Sequence, residues 1–530
     1  MKQIFKWKYL PQLLLVILTA EVYSCSSTFP LLDGWDDHIY VSGNIEKLGF
    51  SVENMFYWLT HSCEGCYLPL TMYSYMFDYA VWGLGGFGYH LQNIFWHVMA
   101  VLAVFMIMRN FGTGPWLSFF LSLAYAIHPQ RVESVVWISE RKDVMCAAFY
   151  FWSIYFWLTE KRTYKIFILF LAALLSKSMA ISLPFVFLIC EYYAENKIDL
   201  KAWTRKLWPF FLAVLIFVPV TILSQDINRE GISLPRQAYV LLHNIAWYVR
   251  TTFISGWLSP IYPRVTLSAV EILSMVASYL VMFTAATAFF RGNRTYFMNG
   301  VIPLFLCFLV SLAPVAGFLP LGAIDYADRY SYIPSAFLWI MAGGLMAGSF
   351  TKIPPAEKSL RHFINLKLMT YGGITYIALL AFMNIVYSGM WKDYHSVLSA
   401  AGSYEPPSYM ALGALADLEL SRGNYGEAVR IADRITSREK GLETKKGYDK
   451  IILKAKYSKA FALYNLGNKK ESLAIFEEIK PELDVDSFGS AEGYNSMIKM
   501  MINCCVSTGD REKAEKLKKE FERPTSNVQR

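Results

Sequence analysis

Eleven apolar runs, each parted from the next by a polar stretch, govern what this chain can become. They fall near residues 9–24, 90–108, 115–128, 144–159, 164–176, 179–194, 207–224, 268–290, 299–318, 332–350 and 367–389. About 20 apolar residues in a helix cross the hydrocarbon core of a bilayer, and a water-soluble domain has no use for a series of them. The runs 115–128 and 164–176 are short enough to be tilted pairs or partly re-entrant segments. Residues 237–257 are apolar too, but the distribution of charge makes them an external re-entrant or interfacial helix, and the run alone does not settle whether they cross. Met1–Lys8 is basic and an apolar stretch to Tyr23 follows, as in a secretory signal, and Val22-Tyr-Ser-Cys25 faintly resembles a lipoprotein cleavage box. With so many runs downstream, the first reads as an uncleaved span. The expected fold class is all-α: a polytopic membrane helical bundle of about 11–12 spans over residues 1–392, followed by a water-soluble helical unit over 393–530.

Lys and Arg gather on the cytoplasmic side of membrane proteins. An inside N-terminus puts Lys2, Lys6, Lys8, Arg109, Lys161, Arg162, Lys165, Lys197, Lys201, Arg205, Lys206, Arg291, Arg294, Lys352, Lys358, Arg361 and Lys367 there. The loop 25–89 then lies outside, where Asp33, Asp36, Asp37, Glu46, Glu53, Glu64 and Asp78 face Lys47 alone. The tail 393–530 also lies outside. Arg131, Arg141, Lys142, Lys177, Arg229, Arg236, Arg250, Arg264 and Arg329 break the pattern, falling on the outer side near membrane level. Cations there are costly, so they are either paired with Glu133, Glu140, Asp143 and Asp328 or gathered to hold an anion such as a lipid phosphate. The net charge of +8 includes no basic block, which argues against nucleic acid as a partner. The eight cysteines are scattered rather than set in a disulfide framework. Cys63-Glu-Gly-Cys66, on the external loop, is spaced for a local disulfide, with a redox or zinc site as the alternatives.

Beyond Lys392 the chain turns lysine-rich and repeats a helix-turn-helix signature: Gly423-Asn-Tyr-Gly-Glu-Ala428, Gly467-Asn-Lys-Lys-Glu-Ser472 and Gly509-Asp-Arg-Glu-Lys-Ala514. Glycine is expected to end one helix in a left-handed cap, and Asn or Asp to start the next. The pattern resembles tetratricopeptide repeats, although the glycines stand 44 and 42 residues apart, further than the usual ~34. Such solenoids bind proteins or peptides; a stabilising cap is the structural alternative.

The chemistry-bearing residues lie between the runs. Leu32-Asp-Gly-Trp-Asp-Asp-His38 follows the first run directly, and a strand or coil there would point Asp36 and Asp37 in different directions. His90 and His97 lie two helical turns apart and share a face with Asn93, although a metal site would need more ligands on that face. Next come Cys66-Tyr-Leu-Pro-Leu-Thr71, Ala126-Ile-His-Pro129, Val132-Glu133-Ser-Val, Glu140-Arg-Lys-Asp143, Leu175-Ser-Lys177-Ser, Ser259-Pro-Ile-Tyr-Pro263 and Ala327-Asp-Arg-Tyr330-Ser-Tyr-Ile-Pro334. In this order and spacing, the chain resembles the transmembrane and tetratricopeptide-containing O-mannosyltransferases and their bacterial relatives, in the GT-C glycosyltransferase superfamily.

That resemblance implies a polyprenyl-phosphate sugar as donor and transfer to an acceptor hydroxyl on the external face. It implies a catalytic aspartate in the first external loop, which maps to Asp36 and Asp37, with Asp36 favoured as base. Lys177, Arg329, Arg131 and Arg141 become candidates for the donor phosphate, and His90, His128, Glu133, Asp143 and Tyr330 for the rest of the substrate site. Where the family has Ser-Lys-Glu this chain has Ser176-Lys177-Ser178, so a carboxylate is missing. One attacking face without an enzyme nucleophile implies inversion. No metal ligands are assigned, though a divalent cation is left open as cofactor. The partners expected are the lipid-linked donor, a protein or glycan acceptor, and a protein bound through repeats 393–530. Asn293-Arg-Thr295 falls on a cytoplasmic loop and no retention signal ends the sequence. Both point to a bacterial inner membrane with the first loop and repeats periplasmic, the endoplasmic reticulum with a lumenal site being the alternative. A non-catalytic scaffold, or oligosaccharide transfer from a diphosphate carrier, are the rival functions.

Overall fold

The computed structural model of the chain describes residues 9–160, 163–195, 199–224, 234–256, 258–265, 268–292, 297–317, 324–351, 360–437, 448–483 and 491–521. Lys2, Lys6, Lys8, Lys161, Arg162, Lys197, Arg229, Arg294, Lys352, Lys358 and the segment Asn293–Thr295 lie outside them. The chain divides into two compact units, Met1–Ser396 and Val397–Arg530.

The first unit is all helix, as its apolar runs require; among the described residues its one departure is an isolated bridge between Cys63 and Cys66. Among the described residues, five helices are long and apolar enough to cross a membrane: Leu10–Thr28, Gly86–Asn110, Leu200–Ser224, Ala269–Ala288 and Thr370–Met390. Shorter apolar helices occupy Pro115–Ile127, Thr163–Ser176, Ser178–Tyr192 and Ile302–Val315. The runs 144–159 and 332–350 lie in Arg141–Thr159 and Tyr332–Thr351, and 237–257 largely in Leu234–Phe253. The environment these helices need is plainest at Ala269–Ala288, whose mean hydropathy is 1.7 while none of its most apolar stretch is buried. An apolar surface that large is stable in lipid and not in water.

Polar bonds, rather than apolar packing alone, register the spans, because a hydroxyl or amide in hydrocarbon must find a partner. The Tyr23 hydroxyl donates to the Ala126 carbonyl at 2.9 Å. Asn384 Nδ2 donates to the Tyr23 hydroxyl at 2.8 Å and to the Ile127 carbonyl at 3.1 Å, so the first, third and last apolar runs are tied at one point. Arg141 is a second knot. It is fully buried, pairs with Asp78, donates from Nε to Asn93 Oδ1 at 2.9 Å and from Nη2 to the Tyr89 carbonyl at 2.8 Å, and lies over the Tyr75 ring.

The apolar helices end where the charged motifs begin. Pro115–Ile127 stops at His128-Pro129, Thr163–Ser176 stops at Lys177, and Tyr332–Thr351 starts after the 3₁₀ turn Asp328–Ser331. Between them lie the one- to two-turn elements Asp36–Tyr40, Val132–Val136 and Ile138–Glu140. Asp36 and Asp37 therefore open a short helix and do not lie on a strand or coil. Successive helical residues are rotated by about 100°, which still points the two carboxylates apart.

The second unit is built of helix hairpins: Tyr409–Ser421 with Tyr425–Thr436, Tyr448–Asn465 with Lys469–Ile479, and Ala491–Thr508 with Arg511–Phe521. Gly423, Gly467 and Gly509 have φ of 76°, 87° and 84°, the left-handed cap the sequence implies. Asn424 and Asn468 do not cap the following helices with their side chains; Asn424 Nδ2 instead donates back to Glu419 Oε2 at 2.7 Å. Asp510 does cap, accepting from Lys513 N at 3.1 Å. The core of the later hairpins is Ala460, Phe476, Ile479, Met497, Met501, Cys504 and Cys505. The segments 438–447 and 484–490, which lengthen the repeat beyond 34 residues, lie outside the described residues.

Candidate active site

The two adjacent aspartates are held in different ways. Asp37 is fully buried and accepts at both oxygens: Leu32 N donates to Oδ2 at 2.8 Å, Ser139 N donates to Oδ1 at 2.9 Å, and the Ser139 hydroxyl donates to Oδ1 as well. Burial raises its carboxyl pKa while these three bonds pull the other way. Asp36 is half-buried and, among the described residues, its carboxylate makes no hydrogen bond or ion pair. Burial raises its pKa too, with the Lys142 ammonium opposing and Glu140 assisting. One aspartate is spent on architecture; the other is left with free acceptors.

Trp35, one residue before Asp36, is wedged among aromatics. Its ring centroid lies 4.7 Å from that of Trp137 and 6.0 Å from that of Trp391, and Trp391 lies 5.2 Å from Trp137. Gly34 faces the Tyr394 ring so closely that a Cβ would collide with it. The backbone carrying Asp36 is thus clamped on one side by Asp37 and on the other by this aromatic cluster.

Around it stands an interlocked set of charges. Glu140 accepts from Lys142 Nζ at 3.1 Å and Lys177 Nζ at 3.3 Å, and Arg329 Nε lies 3.4 Å from it. Lys177 also pairs with Asp143, and Arg329 with Glu133, whose Oε2 accepts from Arg329 N at 2.8 Å. Burial would push the Glu140 carboxyl up, but Lys142, Lys177 and Arg329 together hold it below the ordinary carboxylate range. Glu133 is raised by burial despite Arg329. Three cations thus balance three carboxylates, yet the set is not saturated. Lys177 has three donors and two partners, and Arg329 Nη2 has no protein partner among the described residues. Both side chains are 13% exposed, enough for a ligand to reach them. A small cleft alongside is lined by Glu133, Asp328, Ser259, Pro260, Tyr387 and Trp391. The Asp328 carboxylate accepts from the Tyr262 hydroxyl at 3.1–3.2 Å.

Asp36, Lys177, Arg329, Glu133 and Asp143 are therefore brought together, with Tyr330 beside them under the Arg329 guanidinium, 5.0 Å from its ring centroid. Arg141 is not available to a donor phosphate, since Asp78, Asn93 and Tyr89 occupy its guanidinium. Arg131 is 1% exposed, bonded to Ser331 and set between the Tyr125 and Tyr332 rings, and among the described residues its Nε and Nη1 have no partner in hydrogen-bond geometry. His90 is buried and, among the described residues, neither ring nitrogen has a partner in hydrogen-bond geometry, while His128 Nδ1 accepts from Gln130 N at 3.3 Å. His97 does not join His90 as a ligand: its nitrogens meet the Tyr332 hydroxyl and the Ala126 carbonyl. Among the described residues, no group of three or more His, Cys, Asp and Glu side chains gathers to hold a metal ion. The tryptophans were missed by sequence reasoning, and Glu140 and Lys142 entered it only as members of the general group of outer charges, not as individual site candidates. The Glu140-Arg-Lys-Asp143 motif carried the signal for these two charges.

No family model matches the chain. It is similar to the protein O-mannosyl-transferase TMTC2 of Homo sapiens and of Mus musculus, 35% identical to each over 99 residues. That stretch is 18% of this chain and 12% of each relative. Over it, the resemblance to transmembrane and tetratricopeptide-containing O-mannosyltransferases read from the motifs is borne out. The chain also aligns with ArnT of Cupriavidus metallidurans, in the apo state and bound to undecaprenyl phosphate, at 16% identity. The alignments cover 89% of this chain and 80% of that one with TM-scores of 0.35 and 0.36, too low to carry an argument.

Proposed function

We propose that this protein is a membrane glycosyltransferase that moves a sugar from a polyprenyl-phosphate donor to an acceptor hydroxyl at the external face, with inversion. The observation that carries the reading is the free carboxylate of Asp36, half-buried beside a cluster whose cations Lys177 and Arg329 retain unused donors. The similarity to proteins named O-mannosyl-transferases supports it.

In the proposed reaction Asp36 takes the proton of the acceptor hydroxyl as that oxygen attacks the anomeric carbon. The bond from that carbon to the phosphate oxygen breaks, and the polyprenyl phosphate departs with its electron pair. Its growing charge is met by the spare Lys177 and Arg329 donors, so no acid is needed for the leaving group. Glu133, Glu140 and Asp143 hold those cations in place, and Asp37 fixes the backbone from which Asp36 projects. The acceptor is proposed to be a protein or glycan, the repeats serving to bind a protein partner. The first loop and repeats are proposed to face the periplasm or, in a eukaryotic cell, the lumen.

The test is transfer in proteoliposomes from a panel of labelled polyprenyl-phosphate and polyprenyl-diphosphate sugars, with and without a chelator, comparing wild type with Asp36→Asn. Transfer by wild type that is lost in a folded Asp36→Asn supports the enzyme and its base, and names the donor. Equal transfer by both removes Asp36 from the mechanism. The helical repeats favour a scaffold as the second reading; no transfer from any donor by a protein that still captures a partner through 393–530 would support it.

A further inference from the structure

The hairpin at Cys63–Cys66 is absorbed by none of this chemistry. Cys63 N donates to the Cys66 carbonyl at 2.9 Å and Cys66 N donates to the Cys63 carbonyl at 2.9 Å, an antiparallel bridge closed by a two-residue turn. The turn residues Glu64 and Gly65 have φ of 46° and 65°, the conformation in which both central residues are left-handed. Glu64 is the one non-glycine residue with positive φ among the described residues, so the chain accepts a disfavoured backbone to keep the two cysteines opposed.

Residues that exchange both hydrogen bonds in an antiparallel pair stand ~5.5 Å apart at Cα, with side chains on one face. A disulfide spans Cα separations of about 4.4–6.8 Å. Cys63 is 7% exposed, its Sγ lies 3.8 Å from the Ile39 carbonyl, and it packs with Tyr40, Val41, Leu48 and Trp58. Cys66 is partly buried against the same core. Ile39 and Tyr40 belong to the helix Asp36–Tyr40. In this structure both are free thiols, the Cys63 Sγ–H donating to the Ile39 carbonyl, and among the described residues no third His, Cys, Asp or Glu gathers around them to make a metal site.

We propose that Cys63 and Cys66 form a disulfide in the native protein, and that this closed hairpin braces the helix bearing Asp36. The chemistry is thiol–disulfide exchange with a protein or small-molecule disulfide on the oxidising side of the membrane. Cys66, the more exposed, attacks one sulfur of the oxidant as a thiolate and expels the other as a thiolate, which picks up a proton. Cys63 loses its proton as it attacks Cys66 Sγ, and the second oxidant thiol leaves. Two cysteine thiols become one disulfide, and the oxidant disulfide becomes two thiols. Burial pushes the Cys63 thiol up to about 12, which fits it to the second, intramolecular step. The ring closed is too short to stabilise the whole chain much, so the effect is local stiffness. The inference does not depend on the transferase reading.

The test uses the full chain in isolated membranes. Free thiols are trapped with N-ethylmaleimide without reductant; the protein is then denatured, reduced and tagged with a second maleimide of different mass, and chymotryptic peptides are mapped. The expected result is the second tag on both Cys63 and Cys66, and the first tag on the surviving cysteine in each of Cys63→Ser and Cys66→Ser. The first tag on both cysteines of the wild type, or the second tag persisting on the survivor in the single variants, overturns the pairing. Hydrogen exchange of residues 36–41 tests the bracing: faster exchange on reduction of wild type is expected, and unchanged exchange overturns that part.

Discussion

Ser139 reaches across the first unit to Asp37, its backbone N–H donating to Oδ1 at 2.9 Å and its hydroxyl donating to the same oxygen, while Leu32 N occupies Oδ2. Two residues 102 positions apart thereby fix the loop from which Asp36 projects. The pair Asp36 and Asp37 should separate cleanly under mutation. In Asp37→Asn, one of the three donors faces an amide N–H, leaving a buried polar group unpaired at a cost of about 1–3 kcal/mol. Asp36→Asn breaks no bond. Thermal unfolding of the two variants in detergent should show a lowered midpoint for Asp37→Asn and an unchanged one for Asp36→Asn; equal destabilisation would sink the division of labour.

The pH dependence of transfer follows from the environment of Asp36. Burial raises its carboxyl pKa above that of an ordinary aspartate, so the base is lost to protonation at a higher pH than the usual value near 3.9. Activity should fall as the pH is lowered through that raised pKa and should be flat above it until another group titrates. A kcat/KM profile measured with the natural donor should place the acid limb above the range of exposed carboxylates. An acid limb at or below that range would mean that another group limits the rate.

The apolar runs were legible because a backbone in hydrocarbon must satisfy its own hydrogen bonds, and each run is helical over most of its described residues. The left-handed caps at Gly423, Gly467 and Gly509 were legible for a similarly local reason. The split between Asp36 and Asp37 was not, because it depends on Ser139, which no spacing rule links to residue 37. Arg141 and Lys142 show the same limit. They are neighbours in one motif, yet the helix turns one into the Asp78 knot and the other toward Glu140. Sequence reading named Arg141 for the donor phosphate and kept Lys142 only in the general group of outer cations, since it had the charges but not the direction of each side chain. The asparagines after the glycines looked like caps; Asn424 is drawn instead to Glu419 on the preceding helix.

Lys177 should be sensitive in two separable ways. Lys177→Met leaves Glu140 and Asp143 short of a cation in a buried setting, and breaking such a pair typically costs about 3–5 kcal/mol. Adding Asp143→Asn removes one uncompensated charge and should recover part of the lost unfolding midpoint. Transfer activity should stay low in the double variant, because the donor phosphate has lost the spare Lys177 N–H. Recovery of both stability and activity would show that Lys177 only neutralises Asp143.

The repeats offer a test of the backbone itself. Gly467 sits at φ 87° with open space around the site of a Cβ, so Gly467→Ala meets no neighbour and suffers from conformation alone. A left-handed residue other than glycine costs roughly 1–2 kcal/mol. Gly426 also has room for a Cβ, but it is the second residue of the helix Tyr425–Thr436, a helical position where alanine is favoured over glycine by up to about 0.5 kcal/mol. Limited proteolysis of the full chain, followed at sites within 397–530 over a temperature series, should show earlier cleavage in Gly467→Ala and later cleavage in Gly426→Ala. If both substitutions move cleavage the same way, the cap at Gly467 is not what ends the helix Tyr448–Asn465.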